Sequence, residues 1–224
     1  MKLPSSLFRF LMIRWEILFF VLVVILLLLQ VFSLYSDVQS LSYYSSATAL
    51  FVGFESFVAT RLAYIMLPLI LFPLSYLFCC SRRPTWARLF LDFLGVYVVI
   101  RLVIQLIGLN ILVFDTLTSR YLLISQVLSF LPYLLLVWGW IYWRLGTFAR
   151  SRNRPLFHLD CESIAPPRPI DYFVASFSSV FSALIIAIQG RSARARILIL
   201  FHGFMIYDVM GITLSRAVSL IHSR

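Results

Sequence analysis

The run from Trp15 to Leu34 is almost wholly apolar, and it is the first of several such runs in a chain of 224 residues. About twenty consecutive apolar residues let an α-helix cross the roughly 30 Å hydrocarbon core of a bilayer. Inside lipid every backbone N–H and C=O must find its partner within the chain, so a spanning segment is a helix or part of a closed barrel. A barrel is written as alternating segments of about ten residues, whereas these runs are long and continuous. The sequence therefore predicts an all-α fold, a multi-pass transmembrane helical bundle. Composition excludes the soluble alternative. Only 12% of the residues are charged and 62% are hydrophobic, against about 25% charged in soluble domains. A soluble chain of this length would bury only about 70% of its surface, leaving much of that apolar area in water.

The first run is longer than the core of a secretory signal. The nearby Ala-x-Ala pattern, Ala47-Thr48-Ala49, falls well past its end, so the run reads as an uncleaved span with Trp15 at the interface. A polar, Ser/Tyr-rich stretch follows, then a mildly apolar one with Gly53 and Glu55 that leads to Arg61. The second span is expected from Leu62 to Cys80, with Pro68 and Pro73 inside it, which a membrane helix tolerates with a kink. A basic turn with Arg82 and Arg83 leads to the third span, Ala87 to Leu112. The fourth runs from Tyr121 to Trp143 and ends in Trp138, Trp140, Tyr142 and Trp143, which suit the headgroup level. The hydrophilic stretch from Arg144 to Arg168 is too short for a domain. Asp171 to Ile188 is apolar but Ser-rich, and as one helix it would reach about 27 Å, either re-entrant or just spanning. The last helix is expected from Ala195 to His222. The sum is about five spans plus one short helix, in three regions: a four-span bundle at 1–143, a polar basic loop at 144–170, and a short helix with a long last helix at 171–224.

The net charge of +10 is carried by Arg, with Lys2 as the one lysine. Most of these bases flank apolar runs, which points to anionic lipid headgroups as their partners and not to nucleic acid. Four spans before the polar loop put Lys2, Arg9, Arg14, Arg82, Arg83, Arg88 and the loop arginines on one side, against Arg61 and Arg120 on the other. The positive-inside bias then places the N-terminus and loop 144–170 in the cytoplasm of a protein of the cell membrane. Cys79 and Cys80 sit at a helix end and Cys161 in the loop, with no C-x-x-C and no His cluster at metal spacing, so no metal site is expected.

Ionisable groups at membrane depth are costly, and each is a functional candidate. Arg101 lies near the middle of the third span and Asp208 near the middle of the last helix. They are expected to pair between helices, either to pin packing or to line an ion or proton path. His202, two turns into the last helix, is either a packing residue or a titrating group. Gly211, Ser215 and Ser219, in phase with Gly203 and Tyr207, form a small-residue stripe for close helix packing. Ser178, Ser179 and Ser182 either face water or bond back to helix carbonyls. No nucleophile elbow, H-E-x-x-H or phosphate loop occurs, so no enzyme activity and no cofactor are expected.

From Asp171 to Leu220, about a quarter of the chain, the sequence resembles the pore module of the tetrameric potassium-channel superfamily, the small bacterial ion-channel-domain proteins. Asp171-Tyr172-Phe173 stands where that family opens its pore helix, Ala195-Arg196 where its inner helix begins, and Ser215-Arg216-Ala217-Val218 where it closes. Where the family carries a Thr-Val-Gly-Tyr-Gly filter, this chain has Ser178-Ser179-Val180-Phe181-Ser182-Ala183-Leu184, without a glycine. The filter needs carbonyls to replace the hydration shell of potassium, and glycines to let the backbone present them. The resemblance thus implies a channel-like homotetramer in the bilayer, with a degenerate filter that is not potassium-selective. Two other readings stand beside it: a non-conducting membrane scaffold or assembly factor working through helix–helix contacts, and a small transporter.

Overall fold

The computed structural model describes residues 5–37, 45–79, 86–115, 120–152, 154–160, 167–180 and 187–213. In chain order these form α1 (Ser5–Asp37), α2 (Ser46–Phe57), a π-helical turn (Val58–Leu62), α3 (Ala63–Cys79), α4 (Ala87–Phe114) and α5 (Arg120–Ser151). Then come strand β1 (Phe157–Leu159), α6 (Pro169–Ser178), strand β2 (Ile188–Gly190), α7 (Ala193–Tyr207) and a second π-helical turn (Asp208–Thr213). The fold is all-α apart from the two short strands. Among the described residues four helical segments are long and apolar enough to cross a membrane: Trp15–Phe32, Ser46–Cys79, Ala87–Phe114 and Leu122–Ser151. These four apolar helices make the chain a membrane-embedded helical protein. The fifth expected span, Ala195 to His222, is described only as far as Thr213.

The chain divides into two compact units, with a boundary inside α5 between Phe130 and Leu131. In the first unit the second membrane helix starts at Ser46 and not at Leu62. The polar stretch before it supplies the cap: the Thr48 N–H donates to Ser45 Oγ at 3.4 Å, and the Ser45 N–H donates to Asp115 Oδ2 at 3.1 Å. A capped N-terminus satisfies donors that would otherwise be orphaned at a helix start. Helix α4 buries Leu91, Leu94, Val98, Arg101, Gln105, Leu109 and Leu112. Their spacing of three and four residues is a heptad-like seam. Facing it, α2 buries Thr48, Phe51, Val52 and Glu55, and the Phe51 ring lies over Gly108.

In the second unit α5 continues past Trp143 to Ser151, two turns into the expected loop. The Arg152 guanidinium stands 4.2 Å over the Phe148 ring, and Ser151 Oγ donates to Phe148 O at 2.7 Å, so the polar end is held by local contacts. Strand β1 pairs antiparallel with β2 in the register Phe157↔Gly190, His158↔Gln189, Leu159↔Ile188, with Phe157 and Leu159 buried. The stretch Asp171 to Ile188 is not one helix. Its ten-residue helix α6 is about 15 Å long, half of what a span needs, and the chain turns at Ser179–Val180. Ser179 Oγ donates to the Ser176 carbonyl, a local bond that competes with continuing the helix.

Candidate functional site

Buried polar side chains gather in both units. In the first unit Arg101 lies in the buried seam of α4 and meets Glu55 of α2. Arg101 Nη1 donates to Glu55 Oε1 at 2.9 Å and Nη2 to Oε2 at 2.7 Å. The two side chains are 6% and 0% exposed, so this is a fully desolvated, two-pronged ion pair. Such a fork joins planar guanidinium to planar carboxylate with both orientation and charge matched. Sequence set Asp208 opposite Arg101. The carboxylate found on the guanidinium is Glu55, which composition had placed in a mere lead-in to the second span. One turn on in the seam, Gln105 is also buried, and its Nε2 has no hydrogen-bond partner among the described residues. A second network stands at the other end of α4, where Arg88 bridges Glu16 of α1 at 2.9 Å and Asp92 at 2.8 Å. Glu16 is fully buried while Arg88 is partly exposed. The buried acids Glu16 and Glu55 are thus each neutralised by an arginine, as the cost of an isolated charge demands.

In the second unit His202 of α7 is buried against α5. Its Nδ1 lies 2.9 Å from Tyr142 Oη. Its imidazole stacks on the Trp138 indole, with centroids 4.7 Å apart and planes at 22°. Phe157 of β1 sets its ring edgewise to Tyr142 at 5.3 Å, so the short strand pair closes one side of the cluster. Trp138 and Tyr142 are four residues apart on α5 and present one face. His202 Nε2 and Trp138 Nε1 are both buried with no hydrogen-bond partner among the described residues. The histidine expected as either packing or titrating group is therefore caged by aromatic rings and tied by one hydrogen bond. Among the described residues no three His, Cys, Asp or Glu side chains converge on a metal-sized site.

The short helix α6 is seated on α5 through a pair of glycines. A side chain at Gly139 would run into Phe173, and one at Gly146 would stand 2.7 Å from Tyr172 Oη. The seven-residue spacing puts both glycines on one face of α5. Asp171 caps α6: its Oδ2 accepts from the Arg168 N–H at 2.6 Å. Ser176 Oγ donates to the Leu135 carbonyl at 2.8 Å, and Ser178 is buried with its Oγ unpartnered among the described residues. Ser182 lies outside the described residues, as do Ser215 and Ser219. Asp208 is buried at the start of the second π-helical turn. Gly203, Tyr207 and Gly211 are exposed. The π-helical turn carries Gly211 beside Tyr207, and the stripe expected to continue at Ser215 and Ser219 runs beyond the described residues.

Comparison of the chain with protein-family models, with characterised proteins and with solved structures finds no match.

Proposed function

We propose that the chain is a membrane scaffold or assembly factor that works through helix–helix contact, with the exposed face of α7 as its contact surface. The observation that carries this reading is the pair Gly203 and Gly211. Glycine in a helix costs about 1 kcal/mol relative to alanine, and packing among the described residues does not call for it at either position. Among the described residues a side chain at Gly203 would meet nothing within 4 Å, and one at Gly211 would meet Tyr207, 3.5 Å away. Ile197, Leu200, Phe204 and Tyr207 flank them as large exposed apolar groups at three- and four-residue spacing, which suits a close-packed partner helix. The internal polar groups favour packing over conduction: Ser129, Ser176 and Ser179 donate to helix carbonyls, and Arg101 is neutralised in its ion pair.

A second reading, a channel-like pore module with a degenerate filter, draws support from one feature. A ten-residue helix with Asp171 in its first turn precedes α7, a largely apolar helix of fifteen residues. The two readings part on stoichiometry. Native mass spectrometry of the protein from gently solubilised membranes should return a complex with a different protein, lost in Gly203→Leu. A homotetramer lost in Gly203→Leu would instead favour the pore module and call for conductance recordings. A monomer unchanged by Gly203→Leu would remove both readings.

A further inference from the structure

The second unit carries a group of exposed arginines around its strand pair. Arg152 and Arg154 follow the end of α5, and the N–H groups of both donate to the Ala149 carbonyl, at 3.1 and 3.0 Å. Arg191 extends the ladder by one step. Its N–H donates to the Leu156 carbonyl at 2.9 Å, and its Nη2 stands 3.1 Å from His158 Nδ1. The first turn of α7 then packs back on the strands. A side chain at Gly190 would stand 2.7 Å from the Arg196 backbone nitrogen, and Arg196 Nε donates to the Gly190 carbonyl at 3.2 Å. Arg191 and Arg196 are thus both anchored beside Gly190. Arg152, Arg154, Arg191, Arg194 and Arg196 are all exposed, and Arg154, Arg194 and Arg196 have no salt-bridge partner among the described residues. Asp160 stands beyond the other end of the strand pair, about 10 Å along the strand from Phe157, and accepts from the Ala187 N–H at 3.3 Å.

These arginines stand where the apolar surface ends. His202 of α7 lies against Tyr142 of α5. Ser151 closes α5 nine residues past Tyr142, and Ala193 opens α7 nine residues before His202. Each interval is about 14 Å of helix, and the strand pair joins the two ends, so they stand at one level. Below that level α7 has no Asp, Glu, Lys or Arg from Ile197 to Tyr207, and Ile197, Leu200, Phe201 and Phe204 are exposed. On α5 the membrane-length segment closes at Ser151, one residue before Arg152, and the Arg152 guanidinium stands over the exposed Phe148 ring. On both helices the surface changes from large apolar groups to arginine within about one turn. That change marks the boundary between hydrocarbon and headgroup.

We propose that the strand pair and the first turn of α7 bind the phosphate of an anionic phospholipid, with Arg191 and Arg196 as anchored donors and Arg154 and Arg194 as further cations around it. The Gly190 carbonyl holds Arg196 by Nε, which leaves its two terminal nitrogens, without partners among the described residues, as the fork that matches phosphate oxygens. A guanidinium already held in place loses less freedom when a ligand arrives. Level selects the occupant. Free phosphate would meet the arginines alone, whereas a phospholipid also keeps its acyl chains in the apolar layer that begins at Phe148 and Ile197. The site lies wholly in the second unit and does not depend on the role assigned to Gly203 and Gly211.

The test uses the full chain in nanodiscs of mixed phosphatidylglycerol and phosphatidylcholine with identical acyl chains. Lipid retained after release is counted by native mass spectrometry. The wild type should retain phosphatidylglycerol in preference to phosphatidylcholine. Arg194→Gln and Arg196→Gln should each reduce that preference about fivefold, the ratio that corresponds to about 1 kcal/mol for one basic side chain near a charged surface. Arg196→Lys should keep most of it, and Arg61→Gln, at an exposed arginine of the first unit, should leave it unchanged. Inorganic phosphate added at constant ionic strength should also leave it unchanged. Equal retention of the two lipids by the wild type would overturn the proposal. So would a preference that survives Arg194→Gln/Arg196→Gln, or one that falls as far in Arg61→Gln. A preference abolished by inorganic phosphate would give the site to the free anion and overturn the assignment to lipid.

Discussion

Arg101 and Glu55 show how a charge is kept inside a membrane protein. Both charges have lost their water and each neutralises the other, so the pair is worth little against an apolar pair of the same volume but a great deal against a half-broken one. Arg101→Met should therefore lower stability by about 3–5 kcal/mol, because Glu55 stays buried without its cation. The double variant Arg101→Met/Glu55→Leu should recover most of that loss. Thermal unfolding in detergent reads both, and a double variant no more stable than the single one would refute this account. Arg101 was legible in the sequence because a lone charge in the middle of an apolar run is conspicuous. Its partner was not. Glu55 lies among glycine, serine and aromatic residues that blur the run, and only its phase with Thr48, Phe51 and Val52 marks it as facing inward. His202 was legible as a buried candidate. The rings that enclose it, Trp138 and Tyr142, are some sixty residues away, and no local pattern joins them.

At the scale of elements, what the sequence shows well is length and apolarity. Four long apolar helices appear where continuous runs predict them, because a bilayer rewards unbroken hydrophobicity over about twenty residues. Ends are less legible. Helix α5 outlasts its apolar run because local contacts around Phe148 hold two more turns. Helix α6 stops short of its run where the Ser179 hydroxyl takes the Ser176 carbonyl. The three-residue strands β1 and β2 are too brief to carry an alternation signal, and they are far apart in sequence. The seat of α6 was written in two glycines that read as ordinary until Phe173 and Tyr172 were placed over them. Gly139→Leu should force Phe173 out of its position, at a cost of about 1–3 kcal/mol for overpacking. Hydrogen exchange should then show faster exchange across Pro169–Ser178 while α1 and α4 keep their protection. Unchanged exchange in α6 would mean that the glycine face is not its seat.

At the scale of the whole molecule, composition alone decided that the chain lives in a membrane, because no other solvent accepts so much apolar surface with so little charge. Which residues face lipid, and which face a neighbour, follows from side-chain phase that the eye cannot extract from nearly uniform hydrophobic text. The long rod from Ser46 to Cys79 makes the point. It is a helix interrupted by five residues of wider winding, and such a turn is in effect a single extra residue inserted into an α-helix. The rod behaves as two keys cut on one shank, with the second turned by about one residue, or about 100°, relative to the first. The first key offers Glu55 to α4, and the second buries Leu74 and Leu77. Removing Ala59 would straighten the shank and lock the two keys in the same orientation. Either Glu55 or the pair Leu74 and Leu77 would then face the wrong way, so the shorter chain should unfold at a lower temperature than the full one, although it loses only one small side chain.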